Sequence, residues 1–355
     1  AIEHPKQEVR MEAIKLAERK KITAALPEIE KLITERTDSQ LLPEAVKAKC
    51  MLQPDELESI DAFVEDKDHR LMKAAITGLM TSGGISAMVT AGQRLLHLIA
   101  SPVADERKMA AEIIGELGVQ SFYKPLFDLL KDENNEVVQA AIIASGKVRN
   151  ERLVKPLMKM FLKRKFEKLV IDALHTAGDV TLQEISDALM NENLTRQQQS
   201  KLILLLGRIG TESATKILDD FIWKTPALCA DIFHALHLSE YKLHPLHRAA
   251  QHIELMHHYI GVSIKIIFMI REAEKLKTTK ILADALQLEL EEIRDSLVLL
   301  FSFVYDREKM LKAKSAFGFE KREAVANALE VIEIEVPKEI SLKFNKIFEP
   351  GVIAD

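Results

Sequence analysis

Seven of the chain's eleven histidines fall between positions 234 and 258: His234, His237, His244, His247, His252, His257 and His258. Imidazoles at that density suggest two kinds of chemistry, ligation of zinc or iron and titration near neutral pH. His234 and His237 are three residues apart, so a helix places both on one face, and the same holds for His244 and His247. A metal site needs three or four convergent ligands, usually with carboxylates or thiols among them. Cys229 is the one nearby thiol. The cluster therefore reads as surface and groove histidines. No catalytic residue, metal ligand or cofactor-binding residue is assigned, and a pH-sensitive surface stays open.

Two charged clusters invite the same question. Glu289, Glu291 and Glu292 could serve acid–base chemistry, but no nucleophile or partner histidine stands beside them in sequence. Interleaved with Leu286, Leu290 and Ile293 they describe the acidic outer face of an amphipathic helix. Lys159, Lys163, Arg164, Lys165 and Lys168 form a basic cluster. It reads as a solvated helix face or, more sharply, as a surface for an acidic partner or a charged membrane. Only two aromatic residues, Phe161 and Phe166, fall within it and the net charge is −5. Both points weigh against a nucleic acid partner.

The elements that hold these residues are repeats. Ala110, Ile113, Ile114, Gly115 and Leu117 are answered 31 positions later by Ala141, Ala144, Ser145, Gly146 and Val148. Pro125-Leu126 with Leu129-Leu130 is answered by Pro156-Leu157 with Met160-Phe161 at the same offset. Each unit is a helix, a break, a second helix and a polar turn, and a fixed period of this length built from two helices marks an α-solenoid. A glycine followed two residues later by an aliphatic recurs as Gly78/Met80, Gly115/Leu117, Gly146/Val148, Gly178/Val180 and Gly207/Ile209. A small residue there lets neighbouring helices approach closely. Gly115, Gly146, Gly178 and Gly207 are expected at equivalent places in successive helix pairs. The pattern resembles HEAT repeats, particularly the short bacterial kind with Ala-Ala followed by Gly-x-Leu in the first helix.

Composition fits. Aromatics are 5% of the chain, charged residues 29% and hydrophobic residues 47%. That balance suits amphipathic helices packed through Leu, Ile and Ala. The fold class expected is all-α, an α-solenoid of HEAT-like repeats over 1–225. A continuation of longer helices and a C-terminal helical cap are expected over 226–355. In the cap, small Ala324, Ala326 and Ala328 accompany a stripe of Val325, Leu329 and Ile332. Pro337 ends that helix, and Ile340, Leu342, Phe344, Ile347 and Phe348 supply a further apolar surface covering the helix from Leu297 to Val304.

Cys50 and Cys229 read as buried thiols of a reducing compartment. The most apolar segment, Tyr259 to Ile270, contains Lys265 and reads as too short and too charged to span a bilayer. The chain opens Ala1-Ile2-Glu3-His4-Pro5, without a methionine or a leader, and excision from a longer protein is the favoured expectation.

The carboxyl end carries a narrower resemblance. Ile281-Leu282 with Ala285-Leu286, then Leu299 to Asp306, then Arg322 with Ala326-Asn327-Ala328-Leu329-Glu330 follow in that order. This string resembles the tail of bacterial transporters similar to ATP/ADP translocases. In those proteins HEAT repeats follow a membrane domain and a cyclic-nucleotide-binding domain can come after them. The chain departs from that pattern at Val331-Ile332-Glu333, where the family tends to have Leu-Leu-Asp. The resemblance implies a cytoplasmic scaffold tethered to the inner membrane through a missing amino-terminal domain. It also implies a partner on the concave face: a protein, a peptide, the membrane domain, or the cyclic-nucleotide-binding domain of the same full-length chain. The alternatives are a free-standing HEAT-repeat adaptor or a HEAT-like lyase. The absence of His-Glu dipeptides, the kind found in di-iron HEAT-repeat hydroxylases, lowers the enzyme readings.

Overall fold

The computed structural model describes residues 2–36, 38–54, 58–190, 194–243, 249–275, 280–317 and 322–348. All regular structure among them is helical. By compactness the chain divides into two units, Ala1–Glu184 and Ile185–Asp355.

The first unit runs α1 (Gln7–Lys20), α2 (Leu26–Glu35), α3 (Leu42–Leu52), the short α4 (Glu58–Asp61), α5 (His69–Ser82) and α6 (Ile85–Ile99). It continues with α7 (Ala104–Leu117), α8 (Tyr123–Leu129), α9 (Asn135–Val148), α10 (Glu151–Leu162) and α11 (Glu167–Ala177). The first helices of the pairs, α1, α3, α5, α7, α9 and α11, pack one on the next in that order. They are a stack, and its seams are built from small residues. A Cβ added at Gly115 would stand 2.9 Å from the Cα of Ala144, and one at Gly146 would stand 2.6 Å from the carbonyl oxygen of Ala173. At Gly78 it would meet the Sγ of Cys50 at 2.7 Å. Backbones this close leave room for nothing larger than hydrogen, so the recurrent glycine is a packing requirement.

Polar turns pin the stack between pairs. Asp38, Asp66 and Asp132 each accept the amide of the residue two positions on, namely Gln40, Asp68 and Asn134. In two of these turns an arginine from the preceding first helix completes the site. Arg10 reaches Asp38 at 2.8 Å, and Arg107 grips Asp132 through two bonds of 2.6 and 2.9 Å. That paired grip holds the Asp132 carboxyl below the usual carboxylate range.

One member of the glycine series departs from expectation. Gly178 lies just beyond the end of α11, with φ at 70°, and a Cβ there would meet nothing. Its smallness serves a positive-φ backbone conformation, which glycine enters without steric cost. The position equivalent to Gly146, 31 residues on, is Ala177, which is buried.

The boundary between the units falls inside α12 (Leu182–Leu189). The second unit then comprises α13 (Arg196–Ile209), α14 (Glu212–Lys224), α15 (Cys229–Leu238), α16 (Ala249–Lys275), α17 (Lys280–Val304), α18 (Arg307–Phe317), α19 (Arg322–Glu335) and α20 (Lys338–Phe348). A capping box of Thr195 and Gln198 starts α13. Gly207 keeps the close approach: its Cβ would come within 2.5 Å of the Ala235 carbonyl oxygen.

Helices α16 and α17 are longer, at 27 and 25 residues, and α18 to α20 return to 11–14. Within Ala250–Lys275 an 18-residue window reaches a mean hydropathy of 1.4, and the helix is long and apolar enough, by length and composition, to cross a membrane. This corrects the sequence-based reading, which took the apolar run alone and missed that it sits within a longer uninterrupted helix. In this fold α16 packs along α17 and against α20, burying Met256, Ile260, Ile266 and Ile267. The carboxyl end forms the expected helical cap. Phe344 of α20 is fully buried, its ring 5.1 Å from that of Phe301 and 5.2 Å from that of Phe348, which stacks on Phe317 at 4.5 Å. Ile340 and Ile347 are buried beside them, while Leu342 points to solvent.

Candidate functional site

The fold scatters the histidines. His234 and His237 do share a face, on α15. His252 of α16 is fully buried, edge-on to Trp223 at 5.8 Å and 3.5 Å from a carboxylate oxygen of Asp219. His258 sits edge-on to Tyr259. His244 and His247 lie outside the described residues. Among the described residues no group of three or more His, Cys, Asp or Glu side chains is placed to hold a metal ion.

What His234 and His237 do reach is a basin of about 980 Å³ in the second unit. Opposite them stand Glu291, Glu292 and Asp295 of α17, and Phe317 and Phe348 of the cap close one side. Glu291 and Glu292 of the acidic cluster and the two histidines, separate in sequence, thus line one basin that sequence reasoning did not join. The proton balance is constrained. Arg307 donates to both Nδ1 of His237 (3.1 Å) and its carbonyl oxygen (2.9 Å). A guanidinium cannot accept, so Nδ1 is the unprotonated nitrogen. Burial, and then the charges of Arg307, His234 and Lys314, push the His237 imidazole below its ordinary value. Lys314 is tied to Asp295 at 2.5 Å, and Arg294 donates to the Ile347 carbonyl and lies 4.5 Å over the Phe348 ring. These groups fasten the cap to α17, and they form no nucleophile–base pair.

A different site lies on the stack of the first unit. A groove of about 600 Å³ runs across α5, α7 and α9. Its floor is Gly115, Ala140 and Ala144, where the glycine seam brings the helices together. Its walls are ion pairs that step from each first helix to the next. Lys73 of α5 reaches Glu112 at 2.9 Å and Glu116 at 2.7 Å on α7, and Lys108 of α7 reaches Glu136 of α9 at 2.6 Å. Burial alone would lower the Lys73 ammonium, but its bonds to Glu116 and Glu112 outweigh that and hold it above its ordinary value. Ile143, 45% exposed, and Lys147 complete the rim. An apolar floor between charged, hydrogen-bonding walls can hold a peptide or a partner's loop; it offers no reactive centre. The sequence reading assigned no residue to this site; its glycine frame marks the floor, but the cross-helix pairing of Lys73 and Lys108 has no local signature.

Residues 92–175, which carry most of this groove, match the family model for HEAT repeats. The protein contains a HEAT-repeat domain. No curated protein matches the chain. Together with the helix stack this makes the fold an all-α solenoid of HEAT-like repeats with a C-terminal helical cap. The basic cluster lies on this domain's edge: Lys159, Lys163, Arg164, Lys165 and Lys168 are all exposed around the turn from α10 to α11.

Proposed function

We propose that the protein is a non-catalytic interaction scaffold whose HEAT repeats take a protein or peptide partner in the groove across α5, α7 and α9. The observation that supports this most directly is the pairing of an apolar floor, Gly115, Ala140 and Ala144, with a ladder of cross-helix ion pairs. Stacked repeats suit such recognition because each contributes equivalent positions along one extended face. The resemblance of the carboxyl end to ATP/ADP-translocase-like transporters supports a narrower assignment. In that reading the chain is the cytoplasmic portion of a membrane protein, with its repeats over 1–225 and the longer helices and cap over 226–355. The groove's occupant is then the membrane domain or a cyclic-nucleotide-binding domain of the same polypeptide.

A photo-crosslinking residue in place of Ile143 in the full-length gene product tests both levels. Crosslinking within the same polypeptide supports the transporter-linked reading. Crosslinking to a separate protein supports the free-standing adaptor. Crosslinking no stronger than from Leu16, equally exposed on α1, rejects the groove as a binding site. The reading frame upstream of Ala1 tests the transporter link independently, since that link requires hydrophobic spans there.

A further inference from the structure

Helix α10 carries a charge quite unlike that of the chain as a whole. Residues 149–168 hold eight lysines and arginines against two carboxylates, Glu151 and Glu167, while the whole chain is −5. Periodicity then concentrates that charge. Arg152, Lys155, Lys159 and Lys163 are spaced three, four and four apart, so they form a single ridge along the helix, and all four are exposed. Arg152 is committed to Tyr123, donating to its hydroxyl at 2.5 Å and lying 5.1 Å over its ring. Lys155, Lys159 and Lys163 have no ion-pair partner among the described residues.

Helix electrostatics accounts for part of the ridge. Cations stabilise the negative end of a helix, which explains Lys159 in the last turn of α10 and Lys163 at its carboxyl cap. It does not explain Arg152 and Lys155, which stand in the amino-terminal half, where the same field favours anions such as Glu151.

Spacing indicates what would fit. Lysines four residues apart on a helix recur about every 6 Å along its axis. Side chains on one face of an extended strand recur about every 6.6–6.8 Å. Across Lys155, Lys159 and Lys163 the mismatch is about 1–2 Å, well within the reach of a lysine side chain. A flat anionic bilayer would also meet neighbouring surface, and outside this stretch the chain carries 52 carboxylates against 41 lysines and arginines. A single-stranded nucleic acid would want stacking platforms, yet the two rings in this stretch, Phe161 and Phe166, are buried and half-buried.

We propose that the α10 ridge is a docking track for an extended acidic segment of a partner protein, with carboxylates on alternate residues meeting Lys155, Lys159 and Lys163. The track is separate from the groove and does not depend on it.

The test is fluorescence anisotropy of a labelled peptide of alternating glutamate and alanine, titrated with the intact chain at low ionic strength. The triple variant Lys155→Gln, Lys159→Gln, Lys163→Gln is expected to bind on the order of tenfold or more weakly, with an unchanged helical spectrum. A reference triple, Lys20→Gln, Lys21→Gln, Lys31→Gln, removes the same charge from other exposed positions and is expected to keep native binding. Equal weakening by both triples, or no binding to the native chain, overturns the proposal. So does tighter binding of anionic phospholipid vesicles or of a single-stranded oligonucleotide of equal charge.

Discussion

The stack of the first unit and the cap of the second solve one problem, burying helix faces, with opposite materials. In the stack the seams are glycine against alanine, as at Gly115 on Ala144 and Gly146 on Ala173, and the helices meet through their backbones. In the cap the seams are rings: Phe344 lies 5.1 to 6.2 Å from Phe301, Phe317 and Phe348, and Phe317 stacks on Phe348 at 4.5 Å. Small-residue seams fix the distance between helices, so each pair must follow the last at a set rise. Aromatic seams fill volume, and they suit the place where repetition stops and an apolar face must be sealed. The difference predicts opposite mutational sensitivities: the cap should suffer from lost volume and the stack from added volume.

The largest effect is expected at Phe344. Phe344→Ala removes a fully buried ring contacting three others and should cost about 3–5 kcal/mol. Denaturant unfolding followed by near-ultraviolet circular dichroism would register it as an early loss of aromatic signal. An unchanged midpoint would mean that the cap does not seal the second unit. Next comes Gly146→Val, where a Cβ would fall 2.6 to 3.1 Å from the backbone of Ala173. Overpacking of this kind costs about 1–3 kcal/mol, and thermal unfolding should show a clear fall in midpoint. A variant as stable as the native chain would contradict the close approach. Gly92 is the counter-case, inside α6 with nothing within 4 Å of an added Cβ. Gly92→Ala should raise stability by about 0.5–1 kcal/mol through helix propensity alone.

The smallest effect concerns pH. His237 is held below its ordinary value by burial and by Arg307, His234 and Lys314, while Glu291, Glu292 and Asp295 face the same basin. Between its folded value and the ordinary value near 6.5, the unfolded chain binds a proton that the folded chain refuses, so stability falls as pH falls. His237→Gln keeps an acceptor for Arg307 but cannot titrate. Its melting temperature should drop less than that of the native chain on acidification from about pH 7.5 to 5.5. Parallel curves would show that another group governs that window.

Much of the stack could be read from sequence because repetition makes one observation count several times. An offset of 31 shared by Gly115, Ile114 and Pro125 with their partners cannot arise from local propensity. The frame misled at Gly178, where a glycine required by backbone conformation stands one residue beyond a packing position held by Ala177. The two uses of glycine look alike in sequence and differ in φ and in the space around the Cα. The cap was legible through Ile340, Phe344 and Ile347, whose spacing of four and three residues is itself a helical stripe. The basin was not, because His237 and Asp295 are brought together by tertiary packing alone. The same holds for the groove walls: Lys73 and Glu112 are 39 positions apart, and the repeat period alone does not pair them.

The thiol beneath Gly78 has a kinetic consequence. Cys50 fills the space that a side chain at position 78 would occupy, and burial pushes its thiol up to about 12, so in the closed stack it is neither reachable nor ionised. Reaction with an alkylating reagent must wait until α5 lifts from α3, and under fast reclosure the labelling rate measures how often that happens. Cys229, buried in the second unit, is an independent reporter there. Mass spectrometry of one labelled sample would therefore time the openings of both units separately, with no engineered probe.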